Sequence, residues 1–478
     1  MAQLIKESVV ITWNDIFLQA VRGLGGAPGP IARIGAMMHV AIFDTVNLLT
    51  GQTYESYAPG LPDPAAPQFV GADPGRSAAF AASKTLFATI GQIIPPLPAA
   101  AAVGAGVAAV GSGPEDQFRH NHAFDLRKVI APAAASGPQA VAAGPDPSQL
   151  FGEAVAQALL DHRSADGSSA GLSDPPTPPL DPAQAGEWRP TGSGAALTPK
   201  WGLVTPFGGW LTGQITDFLP QYALNPNIYP TYSAFLTSRD YAAQVDEVRR
   251  LGGDGIAAPT ERSAEETEIA FFWANDANGT FKPPGQLYTI TQIVARSEKT
   301  ADNLLETARL FALVGIAMAD AAVVAWHVKY LFPNVATPIR LWRPESAIAE
   351  PQNDGNPSTA PVPGWKPLSV TPAGVRFSPP FPAYISGHAT FGAAHAAMMR
   401  LYYGRDSIGF TATTEDPSAK DASGKPLKRR FTSFTEAARE NGRSRVYLGV
   451  HYQIDAEGGF ESGTKVAEFG FANVLRPV

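Results

Sequence analysis

The chain has 478 residues with no cysteine, and its 36 Lys and Arg against 43 Asp and Glu leave a formal net charge of −7. That length allows two domains or one large helical body with a continuous core. The acidic balance argues against nucleic acid as a partner and against attraction to anionic lipid, while the missing thiols rule out disulfides and thiolate metal sites.

In chain order, helical patterns dominate. Met1 to Asp15 carries a short apolar run that polar residues interrupt before a signal-peptide core forms. A soluble protein is expected, cytoplasmic or secreted with its leader removed. Ile11–Arg22 is amphipathic and stops at Gly23; Pro30–Leu49 starts with proline in its first turn and ends before Gly51. Ser77–Ile94 follows, Pro95 to Pro98 break the chain, and the Ala/Gly-rich Ala99–Val110 reads as a packed or surface helix. Glu153–Arg163 is another short helix. The proline-rich stretch from Gly171 to Lys200 reads as an extended connection. Its Trp188, with Trp201 just beyond, suggests a long loop wrapped on the body and approaching the mouth of a site.

The second half is more regular. Ser263 to Glu266 form a capping box for a helix running to about Asn275, and Ser297–Tyr330 reads as one or two long helices with Leu304, Ala308, Phe311, Gly315, Met318 and Ala322 inward. Within it, Leu310–Trp326 is the longest apolar run. It contains Asp320 and is short for a bilayer span, so no membrane insertion is expected. Glu350–Phe377 and Thr413–Arg430 read as polar loops, and Ser433 to Glu436 cap the helix leading to Arg445. Strand-period runs are few. The chain is therefore expected to be mainly α, with an N-terminal helical half (1–255) and a C-terminal helical bundle (256–478).

The stretch from Pro379 to Asp406 changes character at Ser386. Pro379, Pro380 and Pro382 exclude helix before it; Phe391, Ala394, Met398 and Leu401 recur at helical spacing after it. Ser386 is an expected N-cap, which puts Ser386, the Gly387 amide and His388 at a helix N-terminus, where an oxyanion is held. Arg445, His451 six positions later and Asp455 four beyond form a second cluster. Gly449 permits a break between arginine and histidine, and the four-residue spacing lets Asp455 hydrogen-bond the His451 ring and fix its tautomer. Upstream lie Trp326, Lys329 and Arg343-Pro344. Lysine, two arginines, a hydroxyl, a glycine amide and two histidines are an inventory for enclosing a tetrahedral or trigonal-bipyramidal oxyanion.

Lys329 with Arg343-Pro344, then Ser386-Gly387-His388, then Ser444-Arg445 with His451 and Asp455 resemble the signature shared by vanadium-dependent haloperoxidases and the type-2 phosphatidic acid phosphatase superfamily. The flanks, Pro379 to Gly392 and Ser444 to Asp455, resemble the chloroperoxidase-like haloperoxidase branch. The similarity is strong over residues 263–478 and weaker at Trp13-Asn14-Asp15, Met37 to Asp44 and Trp201 to Phe207. The resemblance implies two four-helix bundles, a vanadate (vanadium(V)) cofactor in the C-terminal one, and hydrogen peroxide, a halide and a small organic acceptor as partners; a homo-oligomer is compatible with it. The absence of cysteine suits such an environment, since peroxide and hypohalous acid attack thiols.

By the same resemblance, His451 is the metal ligand and Asp455 orients it; His388 is the acid–base group; Arg343, Arg445 and Lys329 balance cofactor charge; Ser386 and Gly387 donate hydrogen bonds. Asp276 aligns with the residue that hydrogen-bonds the second arginine, and Trp326 and Phe381 match a halide pocket. The gap from Lys329 to Arg343 is longer than in the family, as if Leu331 to Arg340 held an insertion, and Arg340 is a substitute for the third cation. His395 is expected to be buried packing; His39, His120, His122, His162 and His327 have no assigned partner. Two rival readings stay open: a soluble acid phosphatase with His451 as nucleophile and His388 as acid, and a non-catalytic oxyanion-binding protein.

Overall fold

The structure is a computed structural model, and it describes residues 8–90, 146–181, 184–192, 195–221, 228–332 and 339–478. The expected helix Ala99–Val110, His120, His122 and the middle of the expected insertion lie outside the described residues.

The helices that build the body are α1 (Val9–Leu24), α2 (Pro28–Leu49), α3 (Pro74–Thr89), α4 (Pro147–His162), α5 (Arg239–Leu251), α6 (Ala264–Phe272), α7 (Lys282–Ser297), α8 (Leu304–Leu331), α9 (Gly387–Tyr403), α10 (Phe434–Tyr447) and α11 (Gln453–Asn473). The fold class is thus mainly α, as the patterns require. Several starts lie earlier than the apolar period shows, because a cap and a first-turn proline precede it. Asp73 accepts from the Arg76 amide ahead of Pro74, and Asp146 accepts from the Ser148 amide ahead of Pro147.

Three expectations about the second half change. The Ser263 capping box forms, but α6 ends at Phe272, before Asn275, whose φ of 45° leaves the helical region. Ser297 closes α7 and does not open the next helix; Lys299 at φ 60° makes the turn, and Asn303 caps α8. The helix α7 itself was hidden by Pro283-Pro284, which reads as a breaker but is tolerated in a first turn where no N–H is required. Part of the expected loop Thr413–Arg430 is a two-stranded antiparallel hairpin: β1 (Phe410–Thr413) pairs with β2 (Lys428–Phe431), Phe410 opposite Phe431.

The central helix α8 packs along α2 on one side and against α9 and α11 on another. Both α2 and α8 are long and apolar enough to cross a membrane, yet 94% and 100% of their apolar windows are covered by protein. The apolar run is therefore longer than Leu310–Trp326, and its meaning is core. Asp320 is accommodated there because its carboxylate accepts from the Phe207 amide at 2.6 Å, the Gly208 amide at 2.7 Å and Trp210 Nε1 at 2.7 Å. One continuous hydrophobic cluster runs from Val10 to Leu475, joining residues of both halves.

Candidate functional site

The local sequence puts the site residues at element ends. Ser386 caps α9, its hydroxyl oxygen accepting from the Ala389 amide at 3.4 Å, and Gly387 is the first helical residue. An amide there has no intrahelical acceptor. Gly449 takes φ 79° and turns the chain out of α10, so His451 lies between helices. Asp455 lies in the first turn of α11. The His451–Asp455 contact is thus made across a helix start and not along one helix face: Asp455 Oδ2 accepts from His451 Nδ1 at 2.8 Å and from the Tyr452 amide at 3.1 Å.

That bond puts the imidazole proton on Nδ1 and leaves a lone pair on Nε2. Arg343 Nη1 donates to Nε2 at 3.0 Å. Burial, with Arg343 and Lys329 nearby, holds His451 far below the usual histidine range, so the ring is neutral. Burial raises Asp455, opposed by Lys329 and the Tyr452 amide.

Arg343 is fully buried. Its Nε donates to the Phe381 carbonyl at 2.8 Å and its Nη1 to the Val450 carbonyl at 2.7 Å, while its buried Nη2 has no acceptor. Burial lowers this guanidinium to about 9, still protonated at neutral pH. Arg445 Nη2 donates to Asp276 Oδ2 at 2.8 Å; its buried Nε and Nη1 lack acceptors. Burial would raise Asp276, but Arg445 and His388 outweigh it and hold the carboxyl below its ordinary value.

His388 has its Nε2 3.2 Å from the Ala274 carbonyl, which can only accept, so Nε2 carries a proton. Burial and Arg445 lower this ring to about 4. Lys329 is fully buried and donates to the Pro382 and Ala383 carbonyls at 2.8 and 3.1 Å. Phe381 lies under two cations, its ring centroid 4.9 Å from Lys329 Nζ and 4.8 Å from Arg343 Cζ, with Trp326 at 5.1 Å. Arg340 goes elsewhere: it pairs with buried Glu187 at 2.6 Å and donates to the Pro178 carbonyl at 2.7 Å. It ties the proline-rich segment to the body.

A cavity of about 130 Å³ opens beside these groups, lined by Asp276, His388, Arg445 and His451 with Trp326, Phe381 and Gly387. The proline-rich loop reaches it, since Leu197 lines the cavity and its carbonyl accepts from Trp326 Nε1 at 3.1 Å. Sequence reading missed Lys282, Gly26 and Pro28, which also line it. A lysine before Pro-Pro and a link between two helices carry no local signal of a site. His395 is buried packing, with its Nε2 3.0 Å from Thr291 Oγ1; His39 finds Asn14 Oδ1 at 3.3 Å.

Residues 309–478 match the family model described as the VCPO second helical-bundle domain. A vanadium chloroperoxidase of Curvularia inaequalis is 32% identical over an alignment of 264 residues that covers 46% of this chain and 42% of that protein, so the chain spans less than half the length of this curated relative. Among solved structures, a bacterial vanadium-dependent iodoperoxidase covers 100% of this chain and 99% of its own at 22% identity, with a TM-score of 0.68. The holo form of a bacterial vanadium-dependent chloroperoxidase covers 95% and 93% at 15% identity, with a TM-score of 0.60. The resemblance carried by the motifs is therefore matched in sequence over residues 309–478 and in fold over the whole chain.

Proposed function

We propose that this chain, similar in sequence and fold to the vanadium haloperoxidases, is itself a vanadium-dependent haloperoxidase. It would oxidise a halide with hydrogen peroxide to hypohalous acid, which halogenates organic acceptors. The observation that carries the reading is the pair of buried, acceptorless guanidinium N–H groups of Arg445, Nε and Nη1, at a cavity also lined by a neutral imidazole, with the acceptorless Nη2 of Arg343 on the guanidinium that reaches His451. Leaving buried charged donors unmatched costs several kcal/mol in total, on the order of 1–3 each. Such a cradle suits a tetrahedral oxyanion, and the donor set fits vanadate.

Vanadate, when bound, supplies a Lewis-acidic centre that activates peroxide toward halide without a change in oxidation state. Arg343 and Arg445 would offset its negative charge through their free N–H groups, with Lys329 adding charge from behind Phe381. The Ser386 hydroxyl and the Gly387 amide would donate as well. His451 would be the ligand through Nε2, with Asp455 holding the proton on Nδ1. His388, neutral at rest and anchored by its Nε2 proton, would take a proton from peroxide at Nδ1 and return it to the leaving oxygen. Trp326 and Phe381 would give the halide an apolar, poorly hydrated seat.

The test is to incubate the protein with orthovanadate and follow peroxide-dependent halogenation of a phenol-type indicator with chloride, bromide and iodide separately. Turnover with at least one halide is expected. The same cradle would hold phosphate, with His451 Nε2 as nucleophile, so hydrolysis of phosphate esters without halide oxidation would replace this reading by the acid phosphatase.

A further inference from the structure

Lys282 occupies a position that favours glycine. Its φ is 59°, in the left-handed region that costs an L-residue on the order of 1 kcal/mol, and nothing in its helix-start role demands lysine. The residue is 7% exposed. Its ammonium donates to the Asp276 carbonyl at 2.7 Å and to Asn278 Oδ1 at 3.1 Å, both neutral acceptors. Among the described residues it forms no ion pair, because the nearby Asp276 carboxylate is taken by Arg445. Lys282 nevertheless lines the cavity together with Asp276, Arg445, His388 and His451. A strained backbone that holds a buried lysine on a cavity wall, its ammonium hydrogen-bonded to two neutral oxygens, is an observation that points to use.

We infer that Lys282 is an anion-binding residue of this cavity, supplying positive charge from the Asp276–Lys282 turn for a small inorganic anion, halide or oxyanion. Each lysine donates to two neutral oxygens, but Lys329 sits behind Phe381, whereas Lys282 is on the lining itself. By clamping the turn, the same ammonium also positions the Asp276 carboxylate that holds Arg445. The halide part of this inference rests on the haloperoxidase reading; the charge part does not.

The test compares the parent with K282G and K282R. Glycine suits φ 59°, so K282G keeps the fold while removing the charge. Inorganic phosphate, titrated calorimetrically into protein free of vanadate, is expected to bind about tenfold more weakly to K282G, as for one charge at partly buried range, and K282R is expected to recover most of the loss. In vanadate-loaded protein the halide KM should rise by a larger factor than kcat falls. Equal phosphate affinity in parent and K282G overturns the inference. A parent that binds phosphate through Lys282 but oxidises no halide sinks the haloperoxidase reading and leaves the anion site standing.

Discussion

His451 is gripped at both ring nitrogens, by Asp455 at Nδ1 and by Arg343 at Nε2, whereas His388 meets backbone carbonyls only, Ala274 at Nε2 among them. The two rings are therefore held differently, and if His451 is the ligand and His388 the proton carrier, as proposed, their variants should separate. In H451A, orthovanadate retention measured by equilibrium dialysis should disappear. H388A should retain the metal and lose roughly 10²- to 10⁴-fold in halide turnover; equal metal content in H451A and the parent would reverse the ligand assignment. The cations separate in the same way. Lys329 touches Phe381 beside the cavity, while Arg340 is spent on Glu187. K329A should lower turnover at little change in the metal-free fold's circular dichroism; R340A should mainly lower the melting temperature, because it strands a buried Glu187. The opposite pattern would move the third cation to Arg340.

At the scale of elements, the site depends on how closely α9 approaches α11. A Cβ on Gly459 would lie 2.8 Å from the Ser386 carbonyl oxygen, and one on Gly463 would lie 2.2 Å from that of Thr390. The helix bearing Ser386 and His388 thus rests backbone to backbone on the helix bearing Asp455. Substituting G463A forces them apart, at a cost of about 2 kcal/mol or more, since neither backbone can yield as a flexible side chain would. A lowered denaturation midpoint together with weaker orthovanadate binding is expected. Unchanged binding at lowered stability would mean that the approach matters for packing alone. Gly449 is a second such point: its φ is 79°, and a Cβ there would fall 2.2 Å from the Gly252 carbonyl oxygen. The break that lets His451 leave α10 is thus also a contact with the end of α5.

For the whole molecule, pH dependence tests how deep the helical body is. His395 is buried with its pKa lowered to about 3 by desolvation, against about 6.5 when unfolded. Below 6.5 the unfolded chain binds a proton that the folded chain refuses, so this group's contribution to stability falls as pH drops from 6.5 toward 3, by at most about 1.4 kcal/mol per unit. H395Q lacks that dependence. The stability gap between parent and H395Q, from urea unfolding, should therefore narrow across that window; a constant gap would show that the ring is hydrated. Much of the molecule was legible beforehand, for definite reasons. Capping at Ser263, Ser386 and Ser433 and the glycine break at 449 are encoded within a few residues. The motif cations and histidines were readable because their chemistry demands those side chains. Hidden from it were α7 behind its prolines, the hairpin of β1 and β2, and the cavity walls supplied by Gly26, Leu197 and Lys282. By itself the sequence determined the helical class and the capped starts at Ser263, Ser386 and Ser433, because propensity and capping act locally. Only the tertiary structure decided that Lys329 packs on Phe381 while Arg340 pairs with Glu187, that guanidinium N–H groups are left without acceptors, and that residues from the N-terminal half close the wall. Those outcomes depend on which backbones pack together across hundreds of residues, and no local pattern records that.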